Sequence, residues 1–196
     1  MKYHFVIATL LTYTCSLFIF GSVTAQSNFY AKKYEISIEG TSTLHDWVSE
    51  VSKVEASAQL RTDQQQLISI SSLEVTIPVK GIVSSKGRIM DGKTYDALKS
   101  DQHPNIKFRL QNATVKQLSD NTTQVNASGY LTIAGKTRAV NLSVKGRIHA
   151  DGTLTFAGSQ TINMTDYDVS PPTAMMGTIK TGDKVKIQFS ITLSPR

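Results

Sequence analysis

The 196-residue sequence contains a single cysteine, Cys15, placed inside the apolar run from Phe5 to Phe20. The rest of the chain has no thiol, which excludes disulfides, thiol nucleophiles and thiolate metal sites from it. Histidine is nearly as scarce. His4, His45, His103 and His149 are the full set, with no His-x-His or His-x-x-x-His spacing among them. No metal site and no cofactor are expected on that basis. There is no Gly-x-Ser-x-Gly elbow, P-loop or dinucleotide fingerprint, so the machinery those motifs carry is not signalled. The formal net charge is +6, yet Lys and Arg are scattered and form no basic run interleaved with aromatics. Nucleic acid is therefore not an expected partner. The excess charge reads first as solubility, and second as a transient attraction to anionic membrane surfaces.

The N-terminus has a recognisable layout. Lys2 precedes the apolar run, and Val23-Thr24-Ala25 supplies small residues before Gln26. That is the pattern of a secretory signal peptide. Residues 1–25 are expected to be the leader and 26–196 a single exported domain, periplasmic or secreted. Cys15 follows Tyr13-Thr14 rather than small residues, and so reads as part of the leader and not as a lipid attachment site.

Beyond the leader, apolar residues recur at every second position: Tyr34, Ile36, Ile38; Ala56, Ala58, Leu60; Leu73, Val75, Ile77; Ile106, Phe108, Leu110. The pattern continues at Leu131 and Ile133, at Val140, Leu142 and Val144, at Leu154 and Phe156, and from Val185 to Leu193. Period two over so many segments predicts strands with one apolar and one polar face. Ala134-Gly135-Lys136-Thr137 and Asp151-Gly152 mark tight turns, and the short spacing implies antiparallel neighbours. Between Lys86 and Ser100 the period changes. Met90, Thr94, Ala97 and Leu98 follow helical spacing, and Pro104 stops the segment. The expected fold is all-β, a closed antiparallel barrel of about eight strands with one short helix inserted mid-chain, or a sandwich of the same strands. The interior is either packed solid or encloses something apolar.

Four stretches occur in order: GTSTLHDW, HPNIKF, GYLTIAGKTRAVNL and DKVKIQFSITL. Together, from about Tyr34 to Leu193, they resemble the YceI-like family of exported bacterial proteins. The resemblance implies a lipocalin-like barrel that binds a polyisoprenoid or similar long apolar chain, with no catalytic activity assigned to the fold. It also implies that Thr43, His45 and Trp47 lie at or near the barrel mouth or cavity wall. In one place the chain departs from the family: TYDALKSDQHP stands where many members carry paired phenylalanines.

The ligand expected is a polyisoprenoid, an isoprenoid quinone or a fatty chain, in a cavity lined by Trp47, Phe108, Ile133, Leu142, Phe156 and Phe189. Met175 and Met176, near Pro171-Pro172, are expected to form an adaptable apolar lid. Other functions fit less well. A strand through His45, Asp46 and Trp47 would point His45 and Asp46 to opposite faces, which argues against a hydrolase or isomerase dyad. An outer-membrane barrel alternates equally well, but the chain ends Leu-Ser-Pro-Arg without a terminal aromatic. His149, beside Asp151-Gly152, is expected to be a solvated turn residue, and Asp166 and Asp168 to be turn residues as well. A homodimer through exposed strand edges or the helix is compatible with the sequence.

Overall fold

Alternation becomes strand almost wherever it runs without interruption. A computed structural model describes residues 26–63, 65–118 and 121–196; the expected leader, Cys15 included, lies outside the described residues. The strands are β1 (Gln26–Ser42), β2 (Trp47–Val51), β3 (Glu55–Asp63), β4 (Gln66–Pro78), β5 (Ile82–Ser84) and β6 (Asn105–Gln117). They continue with β7 (Thr122–Ile133), β8 (Lys136–Ile148), β9 (Leu154–Asn163), β10 (Thr173–Ala174) and β11 (Ile179–Pro195), and α1 spans Arg88–Ala97. Eight of them, β1, β3, β4, β6, β7, β8, β9 and β11, close a ring in which every neighbour is antiparallel. The closing seam is long, running from Phe29 against Pro195 to Ser42 against Thr181.

Two features were not visible in the sequence. β1 is shared: its first residues pair with β3, and Ser37 to Gly40 pair with β2, which in turn carries β5. The barrel wall therefore forks at one end. Register shifts in β1 after Ala31 and in β6 after Leu110 bend those strands round the closed sheet.

The inward face is apolar and the outward face polar. On β3, Ala56, Ala58 and Leu60 are buried while Glu55, Ser57, Gln59 and Arg61 are exposed. On β11, Lys184, Lys186 and Gln188 face out and Val185 is buried. This is the reverse of a lipid-facing barrel, which carries its apolar band outside, and it removes the outer-membrane alternative.

The two ends differ. At the end holding the β3–β4, β6–β7 and β8–β9 turns, Phe29, Leu60, Leu67, Val125, Leu154 and Leu193 are buried together and stop the bore. The other end is covered by α1 and by the segment between β9 and β11. Gly87, at φ +84, starts α1, and the Asp91 carboxylate accepts a hydrogen bond from the Ser84 backbone N–H at 2.7 Å. The Tyr95 hydroxyl bonds the carbonyls of Lys80 at 3.1 Å and Ile82 at 3.0 Å, which fixes the helix to β5. No residue of α1 is fully buried. It is a cover and not a core element. Across the mouth the β7–β8 turn, Ala134-Gly135, is left-handed at both residues. A side chain at Gly135 would run into the His103 ring, since its Cβ would lie 2.6 Å from Nε2.

Candidate ligand cavity

Two chambers lie in line inside the barrel. The outer one, about 200 Å³, sits beneath α1 and the β9–β11 segment. The inner one, about 160 Å³, extends toward the closed end. Ile36, Ile77, Leu131 and Ile187 line both and form a neck between them. Together they reach the lower part of the roughly 300–1,000 Å³ range of small-molecule sites.

The inner chamber is walled by aliphatic and aromatic side chains, with Gln160 the one polar contributor among the described residues. The outer chamber is mixed. Met90, Thr94, Ala97 and Leu98 form its roof, which is the face that helical spacing selected. Ser49 and Ser84 are register partners on β2 and β5, both buried and both in the lining. Lys93 is the only charged side chain in the lining among the described residues, and its Nζ donates to the Thr173 carbonyl at 3.1 Å. Tyr167 is buried beneath the covering segment, and burial, then the neighbouring Asp166 carboxylate, push its phenol above the ordinary value. It stays a neutral hydroxyl at physiological pH. Ser49, Ser84 and Lys93 were not among the residues the sequence pointed to. Trp47, Ser49 and Val51 alternate inward, so a serine in an otherwise apolar series was the available signal.

Six of the residues picked from the sequence line the chambers: Trp47 and Ile133 the outer, Phe108, Leu142, Phe156 and Phe189 the inner. Trp47 lies against Gly40, and its Nε1–H donates to the Thr41 carbonyl at 3.1 Å. Four do not line either chamber. Thr43 and His45 belong to the exposed loop before β2. Thr43 ties that loop to β11, its N–H donating to the Lys180 carbonyl at 3.0 Å and its Oγ1 accepting from the Lys180 N–H at 3.1 Å. His45 does not enter a strand, because β2 begins only at Trp47; Ser42 Oγ accepts from the N–H groups of Leu44 and His45 and bends the chain there. The His45 ring nitrogen Nδ1 lies 2.7 Å from the Asp46 backbone carbonyl, not from a carboxylate. The strand geometry expected at His45 and Asp46 is thus replaced by a loop, and the two side chains still form no dyad. Met175 and Met176 are not a closed lid. Both are left-handed and point to solvent, 73% and 108% exposed. The covering role falls instead to Met164, Tyr167, Val169 and Pro172, earlier in the same segment.

His149 is half-buried rather than solvated, with Nε2 2.8 Å from Thr155 Oγ1. Asp166 accepts from Asn163 at 3.1 Å, and Asp168 sits at a left-handed position 3.0 Å from Lys136 Nζ. The hydrogen bond from Lys136, and then that cation's charge, hold the Asp168 carboxyl below its ordinary 3.8. A carboxyl with a lower pKa in the folded state adds stability above its unfolded value and loses it as pH falls through the folded one. Wild type and Asp168→Asn are therefore expected to differ slightly in melting temperature at neutral pH and to converge well below about pH 4. The difference is small because the pair is exposed. Calorimetry across that pH range checks it, and a gap that persists in acid would assign the effect to asparagine itself.

The family model for the YceI-like domain matches residues 22–193. No curated protein sequence matches the chain. Among solved structures, Burkholderia cenocepacia BcnA superposes with a TM-score of 0.63 at 21% identity, over 82% of this chain and 96% of that one. A polyisoprenoid binding domain from Saccharophagus degradans superposes with a TM-score of 0.65 at 10% identity, over 88% of this chain and 100% of that one. A Campylobacter jejuni YceI protein gives a TM-score of 0.56 at 17% identity, over 76% and 84%. At these identities the likeness is one of fold.

Proposed function

Since the chain belongs to the YceI-like domain family, we propose that it is an exported, non-catalytic carrier holding one long apolar chain along the barrel axis. The ligand class is a polyisoprenoid, an isoprenoid quinone or a fatty chain. The observation that carries this reading is the pair of chambers in line, with an inner half that offers a ligand almost nothing but hydrocarbon. Burying about ten methylene equivalents along the two chambers contributes about 8 kcal/mol gross, part of which association takes back. Affinity of that origin needs an apolar bore and no particular constellation of polar groups. The fold likeness to a domain described as polyisoprenoid binding supports the same ligand class, and the leader pattern supports export.

Polarity orients the ligand. Ser49, Ser84, Thr94 and Lys93 all belong to the outer chamber, so the tail enters first and the head group stays beneath α1. Lys93→Met is expected to weaken ligands with a carbonyl or phosphate head by about tenfold, the scale of one hydrogen bond to a charged group, and to leave binding of a plain hydrocarbon unchanged. Titration calorimetry with matched ligands measures both.

The direct test is mass spectrometry of an organic extract from protein exported by its host and purified without detergent. A stoichiometric long-chain lipid is the expected result. An empty extract, combined with no change in Trp47 fluorescence or melting temperature on adding prenyl alcohols, would establish a solid structural barrel instead.

A further inference from the structure

Four large apolar side chains stand in water at the mouth of the barrel. Leu44 is 66% exposed, Ile89 80%, Met175 73% and Met176 108%. At the closed end the exposed apolar residues are fewer and better covered, with Leu118 at 48% and Ile68 at 37%. Hydrogen bonds bring the four into one rim. The Leu44 loop is joined to β11 through Thr43 and Lys180, and α1, whose first turn holds Ile89, is joined to β10 through Lys93 and Thr173. Met175 and Met176 form the tip between β10 and β11.

Cations adjoin the projecting side chains of this rim. Lys86, Arg88 and Lys180 are exposed and take part in no ion pair among the described residues. Of the acids nearby, Asp91 is turned to the Ser84 N–H, Asp101 pairs with Lys80 and Asp168 with Lys136. Asp46, Glu50, Asp96 and Asp166 also face solvent without an ion-pair partner among the described residues there, but Lys86 and Arg88 stand within three residues of Ile89, and Lys180 within five of Met175. Projecting apolar side chains with cations behind them suit an interface in which the former enter the acyl boundary and the latter meet anionic head groups.

We propose that this end of the barrel docks on an anionic lipid bilayer, mouth toward the membrane. The apolar ligand then passes between bilayer and outer chamber without crossing water. The docking stands on the rim itself; the passage of ligand rests on the carrier reading above.

The test is flotation of the exported protein, its N-terminus verified by mass, with vesicles of phosphatidylcholine containing phosphatidylglycerol and with vesicles of phosphatidylcholine alone. Wild type is expected to float with the anionic vesicles. Ile89→Ser combined with Met176→Ser should weaken that binding by about tenfold or more, since both side chains lose their buried apolar area. Lys86→Glu and Arg88→Glu should each weaken it by at least about fivefold and leave weak binding to neutral vesicles unaltered. Leu118→Ser, at the closed end, should bind as wild type does. All these positions are exposed, so circular dichroism should show an unchanged fold. Failure of wild type to float, or equal flotation of the rim variant, would overturn the proposal. So would a wild type that dimerises while the rim variant is monomeric and neither floats, which would assign the face to a second copy of the chain. If the protein floats but its extract contains no lipid and prenyl alcohols change neither Trp47 fluorescence nor melting temperature, docking stands and the carrier reading fails.

Discussion

Leu131→Trp is expected to leave short prenyl ligands bound and to cut affinity for long ones by about a hundredfold or more. Leu131 is one of the four side chains common to both chambers, so added bulk there closes the neck. A long tail then loses the inner chamber. Four or five methylene equivalents left in water cost about 3–4 kcal/mol, or roughly two to three orders of magnitude in the dissociation constant. A ligand short enough for the outer chamber loses nothing of that kind. Titration calorimetry over a series of prenyl alcohols of rising length should show affinity climbing with length in wild type and levelling off early in the variant.

The same substitution distinguishes a bore from a packed core. Forcing an indole into a close-packed interior costs typically about 1–3 kcal/mol through displaced side chains. Placed in existing space, it buries apolar area and needs no displacement. Leu131→Trp should therefore melt at or above the wild-type temperature. A clear fall in melting temperature with no change in ligand series would mean that the barrel is solid at the neck and that the ligand, if any, binds elsewhere.

The bore itself was partly legible in the sequence. Period two separates inward from outward positions, and this alone assigns Phe108, Leu142, Phe156 and Phe189 to one surface. The helical spacing of Met90, Thr94, Ala97 and Leu98 likewise marked the face that covers the mouth. What alternation cannot encode is position along the axis. Leu154 and Phe156 both read as inward positions in the sequence, yet the first is packed at the closed end outside either chamber and the second walls the inner chamber. Register decides that, and register depends on where the bulges in β1, β4 and β6 fall. The loops were harder still. His45 left its strand because Ser42 bonds the next backbone N–H groups, a local competition that a two-residue period does not reveal. Met175 and Met176 point outward because consecutive left-handed residues turn the tip away from the barrel, and neither residue type announces that conformation.

Empty space on the axis also requires something that keeps the aromatics at the wall, and glycine supplies it. Trp47 lies over Gly40, Phe108 over Gly129, Phe156 over Gly146 and Phe189 over Gly158, each glycine facing inward beside a ring on the neighbouring strand. The missing side chain lets the ring lie flat against backbone instead of projecting into the bore. A Cβ at Gly129 would stand 2.6 Å from the Arg109 carbonyl oxygen and 2.7 Å from the Phe108 ring. At Gly158 it would meet Val144 Cγ1 at 2.8 Å and the Phe189 ring at 3.1 Å, and at Gly146 only the Phe156 ring at 3.1 Å. The obstacle at Gly129 includes backbone, which cannot rotate away; at the other two it is side chain.

Gly129→Ala is accordingly expected to be the most destabilising of the three, by about 3 kcal/mol, with Gly158→Ala intermediate and Gly146→Ala near neutral. Urea denaturation midpoints at constant slope measure the order. Val144→Ala should recover most of the loss in Gly158→Ala, because it removes the atom in the way. Phe108→Leu should recover only part of the loss in Gly129→Ala, since the Arg109 carbonyl remains. Ligand capacity should fall in the same order, as a displaced Phe108 ring swings into the inner chamber. Three equal midpoints would mean that the strands shift freely to admit a methyl group. The open bore would then owe its shape to strand curvature alone, and the aromatic rings would be free to fill it.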